Sequence, residues 1–156
     1  MRRKEKRCTD EKLLIQFLNE AKVLHLAIPT EEAPYVLPLN YVYNDGSFFI
    51  HSAVAGYKVE LLEKKPTVGF AVSEMLGIGK SANPCGTGAA YKSVVGEAIP
   101  EFIENNCLKK SVLNMTMVKY AKNTTPIEFD EDTLKKVLII RLAITYMDFK
   151  VDLRPH

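Results

Sequence analysis

The chain has 156 residues, 47% of them hydrophobic, and 21 basic against 19 acidic side chains leave a net charge of +2. That length and apolar content suit one domain with a real core, and so even a charge balance gives no reason by itself to expect nucleic-acid binding. No apolar run is long enough to span a bilayer, and the charged start MRRKEKR leads into DEKLLIQFLNEAK rather than a secretory signal, so a cytoplasmic protein is expected.

Arg2, Arg3, Lys4, Lys6 and Arg7 make residues 1–8 a basic arm. Such a charge run reads first as solvated or disordered; an arm that reaches an anionic ligand or a partner subunit is the alternative. Thr9 or Asp10 can cap a helix over 10–22, where Leu13, Leu14, Phe17, Leu18 and Ala21 share one face. Val23–Ile28 reads as a strand ended by Pro29, with His25 a packed or rim residue rather than a ligand. Tyr35–Tyr43 is the next strand, and Asn44-Asp45-Gly46 turns it tightly back into Ser47–His51. Pro38 lies inside that strand without an N–H to give, which demands an edge, a bulge or an opening in the sheet.

Gly56–Lys65 is predicted as a short helix with Val59, Leu61 and Leu62 inward, stopped by Pro66 and followed by a strand at Val68–Ser73. Residues 75–90, MLGIGKSANPCGTGAA, read as a long loop. Tyr91–Ile103 is a long strand, with Gly96 a bulge or bend and Pro100 a second irregularity. A helix at Asn106–Lys122, a helical turn at Asp130–Lys136 and a last strand at Val137–Asp148 complete the chain. Few helices separate the central strands, so the sheet is expected to be mostly antiparallel and to curl into a barrel, as a single domain over 1–156.

Several motifs carry little. Gly79-Lys80-Ser81 is no nucleotide loop, because Glu74 stands where a phosphate loop needs glycine and Asn83-Pro84 opposes the helix that should follow. His25, His51 and His156, with the scattered Cys8, Cys85 and Cys107, form no metal-ligand spacing, and no metal site is expected. The odd, dispersed cysteines fit reduced thiols rather than a disulfide framework. Ser81 or Cys85 as a nucleophile lacks a G-x-S-x-G elbow.

The stretch FFIHSAVAGYKVELLEKKP, residues 48–66, is more informative. An apolar strand ends at His51-Ser52-Ala53, and a helix begins past Gly56 and Lys58. Small side chains at Ser52, Ala53 and Gly56 would let an anion approach free backbone N–H groups, with a hydroxyl and a lysine charge to hold it. An exposed loop with a surface lysine is the plainer reading of this segment taken singly. Tyr91-Lys92-Ser93-Val94 adds a second cation and hydroxyl at a strand start, so the two segments could clamp one phosphate from two sides. Leu37-Pro38-Leu39-Asn40 offers an interrupted ladder whose backbone groups could face a flat heterocycle.

VLHLAIPTEEAPYVLPLNYVYNDGSFFIHSAVAGYKVELLEKKPTVGFAV followed by YKSVVGEA resembles the pyridoxamine-phosphate-oxidase-like, FMN-binding split-barrel superfamily, nearest to its nitroimidazole-resistance (Nim-type) branch. The resemblance implies a mainly β fold with flanking helices, a six-stranded antiparallel split barrel, and a homodimer holding FMN at the subunit interface. It implies that Ser52, Ala53 and Lys58 hold the phosphate with help from the Tyr91–Val94 segment, Lys92 and Ser93 foremost. Leu37, Pro38, Leu39 and Asn40 would run beside the flavin ring, with His51 close by as the catalytic candidate for proton delivery. The arginine-rich signature of true pyridoxamine phosphate oxidases is missing, which argues against vitamin B6 oxidation. The expected activity is FMN-dependent transfer of electrons from a small donor, such as a reduced nicotinamide, to a small planar acceptor such as a nitroaromatic or quinone. A non-catalytic flavin carrier or sensor, or a split barrel binding haem or another cofactor, is the alternative.

Overall fold

Asp10 caps the first helix, α1 (Glu11–Glu20), by accepting the Leu13 N–H at 3.0 Å. The computed structural model describes residues 4–79 and 87–153, so Arg2, Arg3, Lys80, Ser81, Cys85 and His156 lie outside the described residues. After α1 come β1 (Leu24–Ile28), β2 (Tyr35–Leu39), β3 (Val42–Asn44), β4 (Ser47–Ala53), α2 (Tyr57–Glu63), β5 (Val68–Gly79) and β6 (Gly88–Ile103). Helix α3 (Asn106–Thr116) runs on into a π-helical turn at Met117–Ala121, and α4 (Glu131–Lys136) leads directly into β7 (Val137–Asp152).

Every pairing is antiparallel, and the order across the sheet is β2-β1-β5-β6-β7-β4-β3. The architecture is the expected split barrel with flanking helices, but the sheet has seven strands rather than six. The extra strand arises because the segment predicted as one strand, Tyr35–Tyr43, breaks at Asn40-Tyr41. At the break the Tyr41 N–H donates to the Tyr120 hydroxyl at 2.8 Å, and that hydroxyl lies 2.9 Å from Tyr41 O and 2.8 Å from Lys22 O. The Tyr41 hydroxyl donates to Leu18 O at 2.8 Å. The Tyr41 backbone groups that leave the ladder thus find their partner on the π turn, and its buried hydroxyl finds one on α1, as buried polar groups must.

Pro38 falls on β2, an edge strand paired to β1 on one side, which removes the difficulty its missing N–H would pose. The β3–β4 hairpin turns through Asp45 (φ 45°) and Gly46 (φ 68°), the left-handed pair that the Asn-Asp-Gly run predicts. His25 is exposed on β1, the rim rather than the packed alternative, because its alternating neighbours Leu24 and Leu26 take the inward face.

Two further expectations change. Much of the predicted 75–90 loop is strand: β5 continues to Gly79 and pairs with Gly88–Ala90 beyond a register shift at Met75/Gly77. The described part of the basic arm is tied to the sheet, although Arg7 stays exposed. Lys6 pairs with Asp152, Arg7 Nε lies 3.1 Å from the buried Asp148 carboxylate, and the Cys8 N–H donates to Phe149 O at 2.9 Å. The arm lies along the end of β7 because that strand carries its acidic residues there.

The core fills the barrel with Phe17 and Leu18 from α1, Leu24, Leu26 and Ile28 from β1, and Phe48, Phe70, Val94, Ile140 and Leu142 from the other strands. A smaller cluster of Val42, Phe49, Val112 and Ile139 fixes α3 against the outside of the sheet. Gly96 sits next to the β6–β7 register shift at Glu97/Ala98. A Cβ there would lie 2.1 Å from Tyr146 O and 2.5 Å from the Phe70 ring, so the site is closed to any side chain.

Gly96→Ala should therefore lower stability by about 1–3 kcal/mol or more, read as a fall in the urea midpoint at unchanged m. Gly69→Ala, whose Cβ would meet Ala27 at an ordinary 3.7 Å, is the control and should shift the midpoint much less. Tyr120→Phe should cost about 1–3 kcal/mol by stranding the Tyr41 backbone; a midpoint equal to that of the parent would show that the hydroxyl is dispensable.

Candidate functional site

Strands β2 and β4 are not neighbours in the sheet, yet its curl brings them face to face. Between them lies a cleft of about 480 Å³ lined by Tyr35 and Leu37 of β2, His51, Ser52 and Ala53 at the end of β4, and Gly56, Tyr57 and Lys58 at the start of α2. The local sequence makes this shape. β4 is buried at Ser47–Ile50 and emerges at His51, and the chain then turns through Gly56 at φ 126°, a conformation side chains disfavour. The following helix buries Val59, Leu61 and Leu62, which leaves Tyr57 and Lys58 on the cleft side.

Lys58 is half-buried and makes no hydrogen bond or ion pair to any described residue. Burial pushes its pKa below the ordinary lysine value of 10.5. Tyr35 and Tyr57 meet edge to face, with ring centroids 5.2 Å apart, and form one wall. The first N–H groups of α2 have no helical acceptor, although this helix has only seven residues and a correspondingly small dipole. A cation with no counter-ion among the described residues, a half-buried serine and two positions without bulk, Ala53 and Gly56, share one concave surface.

The structure therefore assembles His51, Ser52, Ala53, Lys58 and Leu37 in one place. Pro38, Leu39 and Asn40 do not line this cleft: Pro38 is on the exposed side of β2, Leu39 packs against the core, and Asn40 lies at the break before β3. Tyr91, Lys92, Ser93 and Val94 do not reach it within one chain. Ser52 pairs with Leu138 and Lys92 with Val151, near opposite ends of β7. Instead Lys92 and Ser93 lie beside the basic arm, where the Lys6 ammonium stands 5.6 Å from the Tyr91 ring centroid. Tyr35 and Tyr57 escaped the sequence reading. Tyr57 is the residue directly before Lys58 and could have been inferred as a wall, whereas Tyr35 depends on how the barrel closes.

Fold and site together define a split-barrel protein with a cationic cleft between two strands that do not pair. Residues 10–151 match the family model described as pyridoxamine 5'-phosphate oxidase, and the chain belongs to that family. Among solved structures it is similar to a candidate 5-nitroimidazole antibiotic resistance protein from Bacteroides thetaiotaomicron, with 23% identity and a TM-score of 0.78 over 93% of this chain and 86% of that one. It is also similar to an FAD- and haem-binding protein from Mycobacterium smegmatis, with 16% identity and a TM-score of 0.84 over 96% of this chain and 74% of that one. An FAD-binding protein from Mesorhizobium loti shares 23% identity at a TM-score of 0.63, over 88% of this chain and 90% of that one. Comparison with curated proteins found no match. No helix among the described residues is long and apolar enough to cross a membrane.

The lowered pKa of Lys58 has a stability consequence with a definite sign. The unfolded chain holds the proton more tightly, so the cost of burying the charge is present in full below the folded pKa and fades as pH rises through it toward 10.5. Lys58→Met should raise the urea midpoint of the ligand-free protein at neutral pH, and the advantage should shrink as pH approaches 10.5. An unchanged midpoint at neutral pH would show that the ammonium is already well solvated.

Proposed function

We propose that the protein is a flavoprotein that binds FMN in the β2–β4 cleft and acts as an oxidoreductase on small planar acceptors such as nitroaromatics or quinones. The observation that carries this reading is Lys58, a half-buried ammonium with no partner among the described residues, set beside Ser52 and two small residues. A phosphate monoester suits such a surface, since it takes a charge-assisted bond from lysine and further bonds from a hydroxyl and backbone N–H groups. The flavin, when bound, supplies hydride and single-electron chemistry. Lys58 and Ser52 anchor the acidic tail, Tyr35 and Tyr57 keep water from one side, and Leu37 gives an apolar contact. His51, exposed at the cleft, is the residue placed to deliver a proton to an acceptor.

The active form is a homodimer in this reading. Met75, Ile78, Val95, Ile99 and Tyr146 are each at least 40% exposed on β5, β6 and β7, a concentration of apolar surface suited to a second copy. Since one chain cannot bring Lys92 and Ser93 to its own cleft, those residues assist the phosphate of the partner's site in this reading.

FAD is the second reading. A groove of about 670 Å³ lined by Pro29, Thr30, Tyr57 and Lys64 adjoins the cleft through Tyr57 and gives room beyond the phosphate, though Glu31 and Glu32 also line it. The spectrum of the purified protein and the mass of the released ligand separate FMN, FAD and haem.

Lys58→Ala should weaken FMN by about 1.5–3 kcal/mol and leave riboflavin, which lacks the phosphate, nearly unaffected. Equal losses for both ligands in calorimetric titrations would count against the phosphate role. Sedimentation should show twice the chain mass of 17.6 kDa, and Val95→Glu should shift the protein toward monomer and release flavin; a monomeric parent that holds flavin would remove the dimer from the proposal.

A further inference from the structure

A second cavity, of about 640 Å³, lies between the C-terminal end of α1, the open edge of β3 and the face of α3 with its π turn. None of its lining residues belongs to the flavin cleft. Val42, Tyr43, Met115 and Val118 give it an apolar floor, and Lys22 and Lys119 stand at its rim. The π turn explains the second lysine. Its wider winding brings Lys119 and Tyr120 together onto α1, where the Lys119 ammonium donates to Leu18 O at 3.0 Å and sits 3.6 Å from the Tyr41 ring centroid. Lys22 donates to Lys119 O at 2.9 Å, and both ammoniums lie within 5.7 Å of the Tyr120 ring centroid.

Neither lysine has a carboxylate partner among the described residues. Glu20, the acidic side chain in the lining, accepts from Gln16 at 2.8 Å along α1 instead. Asn114 is fully engaged with Lys110 O and the Ile127 backbone, whereas Asn19 and Ser111 make no side-chain hydrogen bond to the described residues. Burial, and repulsion from Lys22, push the Lys119 pKa down to about 8. Two like charges are thus held side by side over an apolar floor, with donors to spare.

We propose that this cavity binds a small carboxylate with an apolar body, its head between Lys22 and Lys119 and its body over Val42, Met115 and Val118. The site is separate from the flavin cleft, so it can be occupied whether or not flavin is present.

The probe is 2-naphthoate, whose fluorescence is readable because the chain contains no tryptophan. It should bind saturably to the purified protein, and its neutral analogue 2-naphthylmethanol should bind about tenfold more weakly or worse. Lys22→Gln should weaken naphthoate by about tenfold and leave naphthylmethanol unchanged. Met115→Phe, which narrows the floor without touching either charge and adds no tryptophan, should weaken both and keeps the test open if Lys22→Gln does not fold. Equal affinity for the two probes, no effect of Lys22→Gln, displacement by FMN, or no saturable binding would each overturn the proposal.

Discussion

The whole arrangement depends on Tyr41 leaving the β-ladder. A chain that continued as one strand from Tyr35 to Asn44 would tie the two edges of the sheet together and close the barrel. Instead β2 and β3, consecutive in sequence, stand at opposite edges, and the backbone between them is held by the Tyr120 hydroxyl. That substitution of a phenol for a neighbouring strand is affordable only because Tyr120 is fixed by the π turn and the Tyr41 ring lies under Lys119. The same contacts give Leu18 O and Lys22 O, at and beyond the end of α1, donors that the helix cannot supply for itself.

An open barrel has two consequences for chemistry. Its β2 edge can carry Pro38 without losing a ladder bond, and the edge faces the end of β4 across a cleft rather than across hydrogen bonds. Into that cleft the fold turns a lysine that it has partly removed from water and given no acid among the described residues. Burying an ammonium that way works against stability, and a bound anion would relieve it. The arrangement at Lys22 and Lys119 has the same character on the other side of β3, where two cations share one rim.

The long strand β7 organises the rest. Its first half pairs with β4 and carries the cleft, and its far end holds the basic arm through Asp148 and Asp152. Arg7 and Lys6 gather there with Lys92 and Ser93, so the chain has a second basic region remote from the first. Within one chain the two regions stand near opposite ends of β7.

Local signals were strong enough to reveal most elements: the Asp10 cap, the Asn-Asp-Gly turn, the inward Val59, Leu61 and Leu62, and the need for an edge at Pro38. They also singled out Ser52, Ala53 and Lys58, because small residues beside a hydroxyl and a lysine at a strand-to-helix junction are a local pattern. The break at Tyr41, the strand character of residues 75–79, the docking of the arm and the wall made by Tyr35 were not legible, since each rests on a partner far away in the chain. Backbone preference and hydrophobic period act over a few residues and so can be read along the chain; the pairing of a phenol with a distant backbone, or of two strands across a cleft, exists only once the sheet has curled.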